Sequence, residues 1–355
     1  MNNSEKIRTA LIFGGAGYEH DISVKSAEHL LQELRGGELD IIPVFIEKDG
    51  SFYISEQKNA SAETMASGKA ALRSAFPTKI SGKSGLITDG GFIPIDAAIP
   101  LLHGDFGEDG KIQGLLELAD IPFVGCDTVC GAVSSDKAYT KLVAESVGVP
   151  TVRGISLTPT SKIDSAISDS ENTLGYPVFV KPTRLGSSVG ASVARNREEL
   201  TASLNSALSL GAGYTVIEKY VCCARELECA FFEHKSKQYF TNIGEIRCKD
   251  GFYDYENKYS QISHAEIYTV ADIPKEMADR IREYSARIVN SLGCRDLSRI
   301  DFFLSQDGRL YFNEINTMPG LTSTSMFPRL AADLGFPLSE LFAGFTRAAL
   351  RRCGC

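Results

Sequence analysis

Near its C-terminal end the chain reads LSRIDFFLSQDGRLYFNEINTMPGLTSTS, and four polar side chains in it are spaced for joint chemistry. Asp307-Gly308 between two apolar runs predicts a hairpin with a two-residue turn. With Gln306 opposite Arg309, Asp301 lies across from Glu314 and Arg299 across from Asn316. Strand side chains alternate faces, so these four project together, with Phe303 and Phe312 beside them. Carboxylates roughly 4.5–5.5 Å apart on one face destabilise a sheet unless positive charge offsets them. Asp301, Glu314 and the Asn316 carboxamide form an all-oxygen donor set suited to Mg²⁺, a hard cation usually shared with substrate phosphates. The plainer reading is a pair of exposed acids on a solvated face, and the two phenylalanines, partly burying that face, oppose it. Pro319-Gly320 then turn the chain, and Thr322, Ser323 and Ser325 offer donors to an anion such as a carboxylate.

A second stretch, VKPTRLGSSVG, complements the first. Lys181 closes a strand, and Gly186, Ser187, Ser188 and Gly190 make a loop rich in backbone and hydroxyl donors. Free N–H groups and a lysine match the charge of a phosphate, and Lys137 adds a second cation. An ordinary flexible turn is the alternative. In LLHGDFGEDGKIQG, His103 ends a hydrophobic strand, where ligands usually bind in an α/β sheet. A lone histidine is more often a structural hydrogen-bonder, and Glu108 and Asp109 read equally well as caps of the next helix. GGAGYEH near the start lacks the third glycine of a dinucleotide fingerprint, and no clear acidic ribose partner follows it. Glu19 there either serves the following helix N-terminus or meets a ligand ammonium group. Gly-Lys-Ser at 82–84 is no P-loop, because residue 77, where a glycine is required, is proline.

These residues need a scaffold. IRTALIFGG reads as a buried strand, and DISVKSAEHLLQELRGG as a helix with Val24, Ala27, Leu30, Leu31 and Leu34 on one stripe. LDIIPVFI and IDAAIPLLHG read as strands and IQGLLELAD as a helix, which predicts an α/β layer with a mostly parallel sheet. Residues 53–90 are polar and Ser/Gly/Ala-rich and read as a variable loop region. SSDKAYTKLVAESVG is helical and YPVFVKP a strand. YTVIEKYV and ELECAFFEH read as strands of a third, largely antiparallel unit that contains the hairpin and ends in the helix PLSELFAGFTRAAL.

At 355 residues the chain has room for two or three domains with well-buried cores. A net charge of -8 gives no reason to expect nucleic acid or an anionic membrane as partner. The opening MNNSEKIRTALIFGG has too short an apolar run for a signal peptide, and no stretch is apolar enough to span a bilayer, so a cytoplasmic protein is expected. The nine cysteines, with no C-x-x-C pair, read as reduced thiols rather than as a zinc site or redox tail.

Taken in order, GGAGYEHDIS, LLHGDFGEDGKIQG, SDK, VKPTRLGSSVG, FYDYENKY, RIDFF and NEINTMPGLTSTS resemble the D-alanine–D-alanine ligase family of the ATP-grasp superfamily over almost the whole chain. The related D-Ala–D-Ser and D-Ala–D-Lac ligases of vancomycin resistance share most of these blocks. The resemblance implies an α/β and α+β architecture, an ATP-grasp fold preceded by a Rossmann-like (pre-ATP-grasp) α/β domain. Its expected parts are an N-terminal substrate-binding domain at 1–130, a small central lobe at 131–215 and a C-terminal lobe at 216–355. It implies ATP and two Mg²⁺ ions (Mn²⁺ as a substitute), D-alanine as substrate, an acyl-phosphate intermediate and a homodimer.

Residue by residue, the resemblance has Glu19 hold the ammonium group of the first D-alanine, linked to Ser187 and Tyr259. His103 lies near that substrate's carboxylate. Lys137, Lys181, Lys219 and Lys258, with Ser188, contact ATP, Glu218 and Val221 face adenine, and Glu226 the ribose. Asp301, Glu314 and Asn316 hold the metal ions, Arg299 and the Gly320 backbone the oxyanion, and Ser325 the second substrate's carboxylate. Two departures stand out: Cys222-Cys223-Ala224 add a residue before Glu226, and Leu185 replaces a frequent acid. Lys258-Tyr259 favour D-alanine as second substrate, and Met326 stands where the D-serine branch often has arginine. A D-alanine–D-serine ligase, or an ATP-grasp ligase for another acid and amine, is the alternative.

Overall fold

The computed structural model of the chain describes residues 6–57, 60–187, 189–210, 214–221, 225–248 and 265–354. Its N-terminal unit is built on strand β1 (Ile7–Gly14), buried on both faces as its unbroken apolar run requires. β1 pairs in parallel with β2 (Leu39–Ile46) and β7 (Ala97–Pro100). Helix α1 (His20–Glu33) connects β1 to β2 and buries Val24, Ala27 and Leu30. Beyond β2 the sheet continues through β3 (Phe52–Ser55), β4 (Leu72–Ile80), β5 (Lys83–Thr88) and β6 (Gly91–Pro94).

Two expectations are corrected here. Residues 53–90 are not a loop region: they hold β4 and β5, most of β3 and the short helix α2 (Ala62–Ala66). The sheet is also not mostly parallel, because every pairing from β2 outward to β6 is antiparallel. Antiparallel strands can leave one face to water, so their sequences stay polar and resemble loops. Gly82 lies in the turn between β4 and β5, which disposes of a phosphate loop there. Helix α3 (Lys111–Leu118) covers the far face of the sheet through Ile112 and Leu116.

The stretch expected as one helix from 134 is two. Helix α4 (Thr128–Ser135) ends at Asp136, whose side chain accepts from the Ala138 N–H and starts α5 (Lys137–Ser146). Cys130 and Ala144 from these helices sit in the core of the C-terminal unit, not of the middle one. The middle sheet is antiparallel in the order β10 (Ser192–Ala194), β9 (Val178–Pro182), β11 (Thr215–Lys219), β8 (Gly154–Leu157). Helices α6 (Ile163–Thr173) and α7 (Arg197–Ser209) cover one face of it, against Val178, Val180 and Ile217. YTVIEKYV therefore belongs to the middle unit, and a division at 215/216 cuts its strand β11.

The C-terminal sheet runs β14 (Ala265–Tyr268), β13 (Lys237–Cys248), β12 (Arg225–His234), β15 (Leu297–Leu304), β16 (Leu310–Asn316), all antiparallel. Odd-numbered residues of β12 (Leu227, Cys229, Phe231) pack on α8 (Lys275–Leu292), and Ala230 and Phe232 face α9 (Met326–Asp333) and α10 (Leu338–Arg352). That second core also takes in Leu11, Phe13 and Leu30, so the N-terminal and C-terminal units share one apolar interior.

The hairpin pairs Asp301 with Glu314 and Arg299 with Asn316, as expected, but by a different route. Leu304 pairs with Leu310 and the Ser305 N–H donates to the Arg309 carbonyl, so the turn is one residue longer than two. A bulge at Asn313 then restores the register. Between turn and bulge the pairing is Phe302 with Phe312, which lie in the core at 6.0 Å between ring centroids. Phe312 thus does not share a face with Phe303.

Where the units meet, the Asp296 carboxylate is wholly buried and accepts from the Arg352 guanidinium at 2.8 and 2.9 Å and from the Gly125 N–H at 2.8 Å. Asp296→Ala strips the partly exposed Arg352 guanidinium of its partner and orphans the buried Gly125 N–H, and should lower the unfolding free energy by about 2 kcal/mol in urea titrations. A change under about 0.5 kcal/mol would place the junction's stability elsewhere.

Candidate active site

A cleft of about 960 Å³ opens between the three units. Strand alternation decides what faces it. On β9, Val178 and Val180 point into the middle core and Phe179 and Lys181 into the cleft. On β15, Ile300 and Phe302 point into the C-terminal core, and Arg299, Asp301 and Phe303 line the cleft with Glu314 and Asn316 of β16.

Register places Glu228 of β12 beside Asp301, and Asp301 beside Glu314, a row of three carboxylates across three strands. Arg299 lies among them. Its Nε and Nη2 donate to the two Asp301 oxygens at 2.8 and 2.7 Å, and its Nε stands 3.2 Å from Glu228. Burial lowers the guanidinium's pKa, but Asp301 and Glu228 outweigh it and hold the value well above normal. Lys137 Nζ pairs with Glu314 at 3.1 Å and donates to the Leu185 carbonyl at 3.0 Å. Asn316 Nδ2 donates to Asp301 Oδ2 at 3.1 Å, which holds its carboxamide edge-on to the acids. Two carboxylates and a carboxamide oxygen, each on a rigid strand and next to exchangeable cations, fit a hard divalent ion.

Opposite this row is a buried basic pair. Glu218 is 3% exposed, lies 3.0 Å from Lys181 Nζ and contacts Lys141 Nζ. Lys181 also donates to Asn313 Oδ1 at 3.0 Å. Burial first, then Lys137, lowers Lys181 to about 7, and burial lowers Lys141 well below its ordinary value. Glu218 reaches the cleft but spends its carboxylate on these lysines. Lys219 donates to the Gly175 and Tyr176 carbonyls at 3.3 and 3.4 Å, and Val221 and Glu226 line the cleft beside it.

At the other end, Ser187 Oγ donates to Glu19 Oε1 at 2.5 Å, tying the glycine-serine loop to the start of α1. Glu19 fits there because its neighbours are glycines. A Cβ on Gly104 would stand 2.2 Å from Glu19 Oε2, and one on Gly186 2.7 Å. His103 is buried with both ring nitrogens engaged: Nδ1 lies 2.9 Å from the Met318 carbonyl and Nε2 3.1 Å from Ser26 Oγ. Burial lowers its pKa, with Glu19 opposing, so the ring is a neutral tether rather than a cation for a carboxylate. Glu108 ties the same loops together, accepting from the Gly104 N–H at 3.1 Å and the Met318 N–H at 3.0 Å. Burial pushes it up to about 7.

Gly320 lines the cleft near Ser325, whose Oγ accepts from the Thr322 N–H at 3.2 Å. Ser325 is the N-cap residue of α9 but makes no side-chain cap bond, so the first-turn N–H groups are open to another acceptor. Met326 is buried and packs on Gly244. Ser188, Lys258 and Tyr259 lie outside the described residues.

Sequence reading missed Glu108 as a tether, and Asn313, Lys141 and Glu228 altogether. Glu228 had a signal, since Glu226 and Glu228 alternate on one strand face. Asn313 had none, because the bulge that turns it toward Lys181 follows from pairing, not from local sequence.

Comparison with known proteins covers nearly the whole chain. The model of the D-ala D-ala ligase N-terminus matches residues 8–126, and that of the D-ala D-ala ligase C-terminus residues 143–345. The chain is 35% identical to D-alanine–D-alanine ligase A of Chromobacterium violaceum, covering 98% of this chain and 96% of that protein. It is 38% identical to the D-alanine–D-alanine ligase of Deinococcus radiodurans, over 97% of this chain and 99% of the other. Among solved structures, D-alanyl-alanine synthetase A of Vibrio cholerae superposes with a TM-score of 0.84 at 33% identity, covering 98% and 99% of the two chains. The VanG D-Ala:D-Ser ligase of Enterococcus faecalis superposes with a TM-score of 0.85 at 30% identity, covering 97% and 99%.

Gly186→Ala, at a residue without the positive φ of Gly104, tests how tightly Glu19 is held. The added methyl displaces the carboxylate from Ser187, at the cost of one charge-assisted hydrogen bond, so turnover should fall by about tenfold or more with circular dichroism unchanged. Normal turnover would show that Glu19 is free to move.

Proposed function

The chain belongs to the D-alanine–D-alanine ligase family, and we propose that it joins two D-alanines at the expense of ATP to give D-alanyl-D-alanine, a peptidoglycan precursor. It is an ATP-dependent carboxylate–amine ligase. The observation that carries this reading is one cleft with a carboxylate row on its floor, lysines on the facing sheet and an acid fixed by the glycine-serine loop.

A carboxylate is a poor electrophile, so the first D-alanine is activated by phosphoryl transfer from ATP to an acyl phosphate, which the amine of the second D-alanine attacks. Glu19, set by Ser187, is placed for the first ammonium group. Lys137 and Lys181 face the phosphates, with Lys219 farther along the cleft and Val221 and Glu226 toward the nucleoside. Glu218 serves by holding Lys181 and Lys141 rather than by meeting adenine directly. Asp301, Glu314 and Asn316 would hold Mg²⁺, which neutralises the charge that otherwise repels attack on the phosphate. Arg299, a permanent cation, and the Gly320 backbone line the cleft and would stabilise the oxyanion. Ser325 and the open N-terminus of α9 suit the second carboxylate. Ser188, Lys258 and Tyr259 complete the reading from outside the described residues.

No helix among the described residues is long and apolar enough to cross a membrane, in keeping with a cytoplasmic enzyme. Exposed Leu118, Val129, Tyr139 and Leu142, carried by three successive helices, support a homodimer.

Phosphate release with D-alanine as the only amino acid, with mass analysis of the product, tests the reading. Dipeptide is expected, and folded protein without turnover would sink the substrate assignment. The likeness to the D-Ala:D-Ser ligase makes D-serine the competitor to include, and a preference for mixed dipeptide would move the chain to that branch.

Asp301→Asn should lower turnover by about a hundredfold or more while the fold persists, the loss of several kcal/mol of charge stabilisation. A near-normal rate at limiting Mg²⁺ would remove Asp301 from the metal set. Protonation gives a further check. Lys181, at about 7 in the free protein, is mostly neutral above that pH, and bound phosphate favours its charged form. Nucleotide binding at about pH 8 should therefore take up a proton, read by calorimetry in buffers of different ionisation heat, and Lys181→Met should abolish the uptake. Equal uptake in the variant would assign the proton to another group.

A further inference from the structure

Away from the cleft, where α4 begins and α8 ends, three cysteines meet. Cys126 precedes α4, Cys130 lies in its first turn, and Cys294 follows Gly293, the C-cap of α8. Their sulfurs all lie within 4.8 Å of one another, and Cys130 Sγ is 3.4 Å from Cys294 Sγ. All three are free thiols, 3%, 1% and 5% exposed. Nothing in the ligase reading uses them.

We propose that Cys126, Cys130 and Cys294 form a binding site for one thiophilic d¹⁰ metal ion, Zn²⁺ being the probe. Thiolates at about 2.3 Å from a tetrahedral zinc stand roughly 3.8 Å apart, a spacing these sulfurs reach with small adjustments. A buried cysteine acting only as a small hydrophobe needs no sulfur neighbours. Here three converge from segments 164 residues apart in sequence, counting from Cys130 to Cys294.

The surroundings suit anionic sulfur. The Arg295 backbone N–H donates to Cys126, and Ser134 Oγ lies 3.7 Å from Cys130 Sγ. The Asp127 side chain accepts from the Cys130 N–H at 2.9 Å and fixes that turn of the helix. Three thiolates this close repel one another, so ionising the apo cluster is costly. A divalent cation removes that cost. Binding releases three protons, one from each thiol, each sulfur donates a lone pair, and no electron is transferred. The ion would pin the start of α4 to the end of α8 and act on stability, not on turnover.

The test uses the full chain with Cys353 and Cys355 of the tail changed to serine. Zn²⁺ alone, titrated against a chromogenic chelator, should bind at one ion per chain and raise Tm, and Cd²⁺ in its place should give a thiolate charge-transfer band. Cys130→Ser and Cys294→Ser should each weaken binding by about a hundredfold or more, with phosphate release by the apo forms unchanged. Alkylation of the unaltered chain is the second measurement, independent of how those variants fold. Zn²⁺ should protect Cys126, Cys130 and Cys294 and leave the other six of the nine cysteines at their metal-free rates. No uptake, full binding in Cys130→Ser, protection confined to other cysteines, or a disulfide within the trio in the isolated chain would each overturn the proposal.

Discussion

Like charge held close is the constraint around which this molecule is arranged. Glu228, Asp301 and Glu314 stand side by side because three neighbouring strands pair in one register, and none can leave without unpairing the sheet. Arg299 and Lys137 offset the repulsion in the free protein. Across the cleft the problem is reversed, with Lys181 of the facing sheet and Lys141 of α5 sharing Glu218 in a nearly dry pocket. Each half of the cleft is thus deficient in what a metal–nucleotide complex brings: positive charge for the acids, negative charge for the lysines.

Much of this was legible in sequence. The carboxylate pair, the glycine-serine loop with its lysine, and the helix with its valine and leucine stripe were all read from spacing, and each lies where it was expected. The hairpin shows how such a reading can be right in outcome and wrong in route. A longer turn shifted the register by one residue and the Asn313 bulge shifted it back, so Asp301 still meets Glu314 while Phe312 turns to the core. Bulges are decided by pairing across strands, and no local residue announces one.

The rest was hidden for comparable reasons. Strands β4 and β5 carry one solvated face, so their composition resembles a loop. Glu218 reads as a lone acid until folding brings Lys141 and Lys181 to it from another helix and strand. The cysteine trio is invisible because Cys294 is remote in sequence from Cys126 and Cys130, and His103 reads as either tether or ligand until Met318 and Ser26 take both its nitrogens.

The apolar interior shared by α1, α9 and α10 joins the first and last thirds of the chain into a single block. The middle sheet has its own small core beneath α6 and α7 and brings Lys181 and Glu218 to the cleft from outside that block. Displacing the block's parts would expose buried leucine and phenylalanine, whereas tilting the middle sheet leaves every core intact. The molecule is in effect a vice whose second jaw is separately mounted: Glu228, Asp301 and Glu314 are bolted to the bench, and Lys181 and Glu218 are carried by the jaw.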